Sequence, residues 1–152
     1  MKHAIISLLL LLFILQLNAQ ERPLNTGMDT EDQQALIGMM LSDVIEQFGP
    51  PRTVAAARGI ELWQDDVVFQ YTGVDFYIYR NRVWQVRFNS THGVSNGNHK
   101  EAVMLTLGEL AVDMNEYVLL SIDGKEWPLM LRVNFNSNGN VSSIFLYHPY
   151  FQ

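Results

Sequence analysis

The sequence contains no cysteine, so it can form no disulfide and offers no thiolate for zinc binding or nucleophilic catalysis. Positive charge is also scarce, since ten Lys and Arg against sixteen Asp and Glu give a formal net charge of −6. Such a chain is a poor candidate for binding nucleic acid, because phosphates select basic surfaces. Its stability must come from an apolar core, which the 48% of hydrophobic residues can supply.

The first twenty residues resemble a targeting segment more than a membrane helix. After Lys2, the stretch from Ala4 to Leu15 is apolar except for Ser7, and a small residue, Ala19, follows it. This stretch is shorter than the ~20 residues that a spanning helix needs. We therefore expect a signal peptide at 1–19, with an uncleaved N-terminal anchor as the alternative. The sequence predicts an exported protein, periplasmic or secreted, without a lipid anchor and without an integral span in the mature chain.

The residues that follow predict a leader and then one domain. Residues 20–34 are polar and contain Pro, Gly and Asn, which favours a flexible leader. We expect order to begin near Ala35, and the remaining residues, 35–152, have the length of a single domain.

Two stretches share one pattern: "GMMLSDVIEQFGPP" from Gly38 and "GNHKEAVMLTLGEL" from Gly97. In both, apolar residues recur at spacings of one, three and four, which predicts a short helix. Gly49 and Gly108 should end these helices with a positive φ, and Asn98 could cap the start of the second one.

After each predicted helix the apolar residues alternate with a period of two, which indicates strands. The predicted strands are "ELWQ", "VVFQY", "DFYIY" and "VWQVRF" in the first half and "EYVLLSI", "WPLMLRVNF" and "VSSIFLY" in the second. Gly38 and Gly97 are 59 positions apart, and so are Gly49 and Gly108. The sequence therefore predicts an α+β fold of two tandem repeats, about 35–92 and 93–152, each a short helix followed by an antiparallel meander. The helices should pack on one face of the sheet.

The first of these stretches resembles the signature of the small outer-membrane assembly lipoproteins of the SmpA/OmlA (BamE) family. The matching positions are Gly38, Met39, Val44, Gly49 and Pro51. The doubling of the unit is similar to the β-lactamase inhibitor protein, which has two helix-plus-sheet repeats. The resemblance implies a non-catalytic binding protein of the inhibitor or envelope-assembly kind. It carries over no contact residue, and the second stretch departs from the Gly-x-Pro exit.

Aromatic residues are concentrated on the predicted strands, and alternation cannot bury all of them against one helix layer. If Phe76, Ile78, Ile144 and Leu146 face the core, their neighbours along each strand face outward. Trp84 is the least regular member, because Val83 and Val86 differ in parity and indicate a bulge. Tyr, Trp and Arg are enriched at protein interfaces. The predicted partner-binding residues are Tyr77, Tyr79, Trp84, Arg132, Phe145 and Tyr147.

These patterns predict a non-enzymatic interaction module that binds a partner protein, in the cell envelope, through an aromatic sheet face. They predict no cofactor, and no histidine pair has a metal-ligand spacing. The alternative from another class is a small serine hydrolase, because "GVSNG" matches Gly-x-Ser-x-Gly. That hydrolase would use Ser95 and His148. The other possibilities for the aromatic face are that a second layer or a dimer mate covers it, or that its tyrosines are ordinary strand formers.

Overall fold

The computed structural model of this chain describes residues 28–57, 66–124 and 126–149. The predicted signal peptide, residues 20–27 of the predicted leader and the predicted strand "ELWQ" lie outside these residues. Within the described part of the chain, no helix is long and apolar enough to cross a membrane.

One antiparallel sheet of eight strands dominates the fold, in the order β1-β2-β3-β4-β10-β9-β8-β7, and a two-stranded hairpin, β5-β6, stands beside it. The other predicted strands, which lie within the described residues, form as predicted, within one or two residues at each end. The strands are β1 Thr53–Ala57, β2 Asp66–Tyr71, β3 Val74–Tyr79, β4 Arg82–Phe88, β5 Ser90–Thr91, β6 Val94–Ser95, β7 Val112–Asp113, β8 Tyr117–Ile122, β9 Leu129–Phe135 and β10 Val141–Tyr147.

The predicted α+β arrangement of two helix-plus-meander repeats is wrong. Strand accounts for 47% and helix for 20% of the described residues, so this is a mostly antiparallel β structure with few helices. The physical reason is that the last strands of the two halves pair with each other. Ile144 of β10 lies opposite Phe88 of β4, which joins all the long strands into one continuous sheet.

Three helices are described: α1 Thr30–Ala35, α2 Leu41–Phe48 and α3 Lys100–Leu107. Helix α1 lies mostly within residues 20–34, which were predicted to be a flexible leader. That prediction is wrong for residues 30–34. Asp29 caps this helix by accepting a hydrogen bond from the Asp32 amide, and Gln33 is buried. Order therefore begins before Ala35.

Helices α2 and α3 begin and end alike. The amide of Gly38 donates to the Val83 carbonyl at 2.7 Å, and that of Gly97 donates to the Val141 carbonyl at 2.9 Å. Gly49 and Gly108 end the helices with φ of 76° in both, which confirms the predicted positive φ. Their ψ values of −170° and −166° lie in a region open essentially to glycine alone.

The predicted cap at Asn98 is wrong. His99 is the N-cap residue of α3, and its side chain makes no capping hydrogen bond. The Asn98 side chain instead accepts a hydrogen bond from the Ser95 amide at 2.7 Å, which fixes the turn before the helix.

Both long helices pack on the same face of the sheet. Val44 of α2 is fully buried in a cluster with Phe76 and Val86, and Val103 of α3 is buried in a cluster with Leu131 and Ile144. Register places these sheet residues on one face, because the row of paired residues that runs from Phe76 through Val86 and across β10 ends at Leu131. The opposite side of the sheet, which α2 and α3 do not cover, is called the open face below.

Candidate functional site

The open face is built from two rows of side chains that cross the central strands. One row runs through Tyr77, Gln85, Tyr147 and Met130, which lie opposite one another on β3, β4, β10 and β9. The adjacent row is Asp75, Arg87, Phe145 and Arg132 on the same four strands. Since side chains that face each other on adjacent strands project to the same side, the rows form one continuous surface.

All six predicted partner-binding residues lie on the open face. Their partners along the strands, Phe76, Ile78, Ile144 and Leu146, are buried on the helix side as predicted. Tyr77, Tyr79, Trp84, Arg132 and Phe145 are partly exposed, whereas Tyr147 is only 9% exposed. Tyr147 therefore contributes to the packing of the face itself, so its removal should also affect stability.

The centre of the open face is an aromatic contact between Tyr77 and Phe145. Their ring centroids are 6.0 Å apart and the ring planes are inclined by 71°, an edge-to-face pair. Burial raises the pKa of the Tyr77 hydroxyl above its ordinary value, while the charge of Arg87 opposes that rise. The Tyr77 hydroxyl thus stays protonated at neutral pH and can donate a hydrogen bond.

Trp84 reaches the open face through a bulge in β4. The register between β3 and β4 shifts between Tyr77 and Ile78, because Gln85 and Val83 face these residues and Trp84 is the extra residue between them. The predicted bulge is confirmed. The indole nitrogen of Trp84 donates to Asp66 Oδ1 at 3.1 Å, which fixes the ring at one side of the surface.

Arg132 is held by two contacts at once. Its guanidinium carbon lies 3.9 Å from the ring centroid of Tyr117, a cation–π contact. Its Nε donates to Asn134 Oδ1 at 2.8 Å, and the Asn134 amide donates to Ser143 Oγ at 2.9 Å. Tyr117 is not among the predicted partner-binding residues, although its place in the alternation of "EYVLLSI" could have indicated it.

Arg87 is a second cation on the open face, beside Arg132. It is not among the six predicted partner-binding residues. It forms an ion pair with Asp75, whose side chain is 8% exposed, while the Arg87 side chain remains 46% exposed. A buried carboxylate beneath a half-exposed guanidinium orients the arginine toward solvent. No pattern in the sequence pairs these two residues, because their contact follows from the register of β3 against β4.

The structure does not bring Ser95 and His148 together. The Gly97 amide bonds to the Val141 carbonyl, so Ser95 lies near the start of β10, whereas His148 follows the end of that strand. A seven-residue strand separates its ends by roughly 20 Å. The pair required by the hydrolase alternative therefore does not exist in this fold.

His148, which follows the end of β10, is buried. Its ring makes an edge-to-face contact with Trp127 at 5.7 Å, and its amide donates to the Trp84 carbonyl. Burial lowers the pKa of His148 below its ordinary value, so the side chain is neutral at pH 7. Its contacts are those of a packing residue.

A cleft of about 410 Å³ lies beside the same end of the sheet, between α1 and the segment that follows β8. Trp127 and Leu129 form part of its wall, and the guanidinium of Arg82 donates to the Gly38 carbonyl at its edge. Its acidic lining residues are Asp29, Glu31, Asp32 and Glu126. Among the described residues, no group of three His, Asp or Glu side chains could hold a metal ion.

No protein-family model matches the sequence, and no curated protein matches it either. Among solved structures, the fold is similar to an extracellular protein containing a SCP domain from Bacillus anthracis. That match has a TM-score of 0.50 and 11% identity, and it covers 87% of this chain and 49% of the other. The chain thus spans about half the length of that protein, and the likeness concerns the fold alone.

A second solved structure, a DUF4309 family protein (YjgB) from Bacillus subtilis, matches with a TM-score of 0.46 and 12% identity over 78% of this chain and 93% of the other. Neither structure is an SmpA/OmlA protein or a β-lactamase inhibitor protein. The resemblance to those families remains an expectation from the sequence.

Proposed function

We propose that this protein is an exported, non-enzymatic interaction protein that binds a partner protein of the cell envelope through its open face. The observation that carries the proposal is the surface around Tyr77 and Phe145. Partly exposed tyrosine, tryptophan, phenylalanine and arginine side chains adjoin one another there, on the side of the sheet that α2 and α3 leave uncovered. These residue types dominate the energetics of protein interfaces.

The contacts within the open face favour an interface as well. Phe145 packs on Tyr77, Arg132 stacks on Tyr117, and Trp84 is bonded to Asp66, so the surface is ordered before any partner arrives. A surface ordered in advance loses less side-chain freedom on binding and therefore binds more tightly for the same contacts.

Export is supported by the apolar segment that follows Lys2 and precedes Ala19. The extracellular location of the SCP-domain protein with a similar fold agrees with it. We propose a periplasmic or secreted protein without a lipid anchor, and an inhibitor or envelope-assembly role is the narrower form that the family resemblance suggests.

Site-specific photocrosslinking in the producing cell tests this function. A benzophenone amino acid replaces Tyr79 on the open face, and in a matched control it replaces Leu105, which is 86% exposed on the helix layer. The proposal expects a discrete adduct with an envelope protein from position 79 and none from position 105. Equal adducts at both positions, or none at position 79, would contradict it.

A further inference from the structure

The row that crosses the middle of the open face has a charge pattern that constrains its partner. Arg87 of β4 lies opposite Phe145 of β10, and Phe145 lies opposite Arg132 of β9. Because neighbouring strands are ~4.8 Å apart, the two arginines start from backbone positions about 10 Å apart with the phenylalanine between them. Asp75 on β3 and Tyr117 on β8 contact the two guanidinium groups from the sides away from Phe145, so these groups lie at least that far apart. We propose that the partner segment docking here carries two carboxylates, one for each arginine, on either side of an apolar side chain.

This inference rests on the proposed function and narrows it to a partner with an acidic, apolar, acidic pattern. The chain as a whole carries a formal net charge of −6, yet two cations flank the partly exposed Phe145 ring at the centre of this face. A local cationic site on an acidic protein selects an acidic partner segment and disfavours cationic ones by like-charge repulsion.

Both guanidinium groups are fixed in ways that leave donors for a ligand. Tyr117 contacts the flat side of the Arg132 group, and Asn134 takes its Nε hydrogen. The two terminal nitrogens of a guanidinium present further N–H groups in its plane, and these can bind a carboxylate in a bidentate manner. Asp75 holds Arg87 from the buried side, while that side chain stays 46% exposed toward the open face.

Phe145 determines what must lie between the two carboxylates. Its partly exposed ring packs on Tyr77, and the strand neighbours of both residues are buried on the other side of the sheet. A charged or strongly hydrated group above this ring would lose solvation without gaining a partner, whereas an apolar side chain would gain contact area.

Three synthetic hexapeptides test the charge and the spacing. The first, acetyl-Ser-Glu-Ser-Leu-Ser-Glu-amide, places both glutamates and the leucine between them on one side of an extended chain, with the glutamates about 13 Å apart. The second replaces both glutamates by glutamine. The third, acetyl-Ser-Leu-Glu-Glu-Ser-Ser-amide, has the same composition with adjacent glutamates, which project to opposite sides of an extended chain. Binding at low ionic strength is followed by NMR through the Arg132 Nε–H and Trp84 indole resonances.

We expect the first peptide to bind at least fivefold more tightly than the third and at least tenfold more tightly than the second. Arg132→Gln should abolish this preference, and so should the double variant Asp75→Asn/Arg87→Gln, which removes one cation without leaving the buried carboxylate unpaired. Arg52→Gln, outside this row, is the control and should keep it. Equal affinity for the three peptides, or the absence of any shift of these resonances, would overturn the inference.

The peptide experiment tests the acidic pattern of the partner, and the crosslinking experiment tests the proposed function. Their outcomes can therefore be told apart. If position 79 forms its specific adduct while the peptides show no charge preference, the partner-binding face stands and the acidic pattern is wrong. If position 79 forms no adduct, the proposed function is wrong whatever the peptides do.

Discussion

The ring of Tyr77 meets the ring of Phe145 edge to face across β4, with centroids 6.0 Å apart. Such a pair contributes about 0.5–1.5 kcal/mol beyond the area it buries. A double-mutant cycle of Tyr77→Ala and Phe145→Ala, measured by urea unfolding, should show coupling of that size. A cycle that pairs Phe145→Ala with Tyr79→Ala, at the end of β3, should be additive. Additivity in the first cycle would mean that the rings do not stabilise each other.

The ion pair between Arg87 and Asp75 should matter for folding as well as for binding. Arg87→Gln leaves the buried Asp75 carboxylate without its counter-ion, and we expect the free energy of unfolding to fall by about 1–3 kcal/mol. The double variant Asp75→Asn/Arg87→Gln should recover most of that loss, because two neutral amides can bond to each other. Urea unfolding of both variants checks this, and a double variant no more stable than Arg87→Gln would refute it.

Gly38 should tolerate a side chain less well than Gly97, although their φ values of 90° and 86° are nearly equal. A Cβ atom at position 38 would lie 2.7 Å from Cζ2 of Trp127, whereas at position 97 it would meet nothing within 4 Å. We therefore expect Gly38→Ala to lower the free energy of unfolding by about 1–3 kcal/mol more than Gly97→Ala. It should also change the tryptophan fluorescence. Equal losses would show that Trp127 moves aside freely.

Acidification should destabilise the contact between α1 and the β5–β6 hairpin. His92 Nδ1 lies 2.8 Å from Thr91 Oγ1, and the Thr91 hydroxyl donates to Gln33 of α1. Burial lowers the pKa of His92 below its ordinary value of about 6.5. The unfolded chain therefore binds the proton more readily than the folded one, so stability is full above about pH 6.5 and declines as the pH falls toward the folded pKa.

An NMR titration of the His92 ring and unfolding curves at several pH values measure this effect. His92→Gln should remove part of the decline below about pH 6.5. His148, whose pKa burial also lowers, should account for a further part. A His92 pKa at or above 6.5 in the folded protein would contradict this account.

The sequence predicted the strands better than the way they assemble. Alternation located β2, β3, β4, β8, β9 and β10, because each buries one side and exposes the other. It missed β1, since "TVAAA" has no contrast between its two faces, and Val54 in it is 56% exposed. The pairing of Ile144 with Phe88 joins segments far apart in the chain, and no local pattern encodes it.

The same distinction applies to the candidate site. Alternation alone placed Tyr77, Tyr79, Phe145 and Tyr147 on the open face, and the mismatch of Val83 and Val86 indicated the bulge at Trp84. It could not show that Tyr147 is buried, because that depends on neighbours from β4 and β9. The contact of Arg132 with Tyr117 depends in the same way on the register of β8 and β9.

The most direct test of the central claim is the affinity of Tyr79→Ala for the protein captured by crosslinking, measured by calorimetry together with the melting temperature of the variant. Tyr79 is partly exposed on the open face, and the Arg80 guanidinium lies over its ring, 5.2 Å from the centroid. The account predicts that binding weakens by about 1–3 kcal/mol while the melting temperature scarcely changes. An unchanged affinity, or a fall of many degrees in the melting temperature, would contradict it.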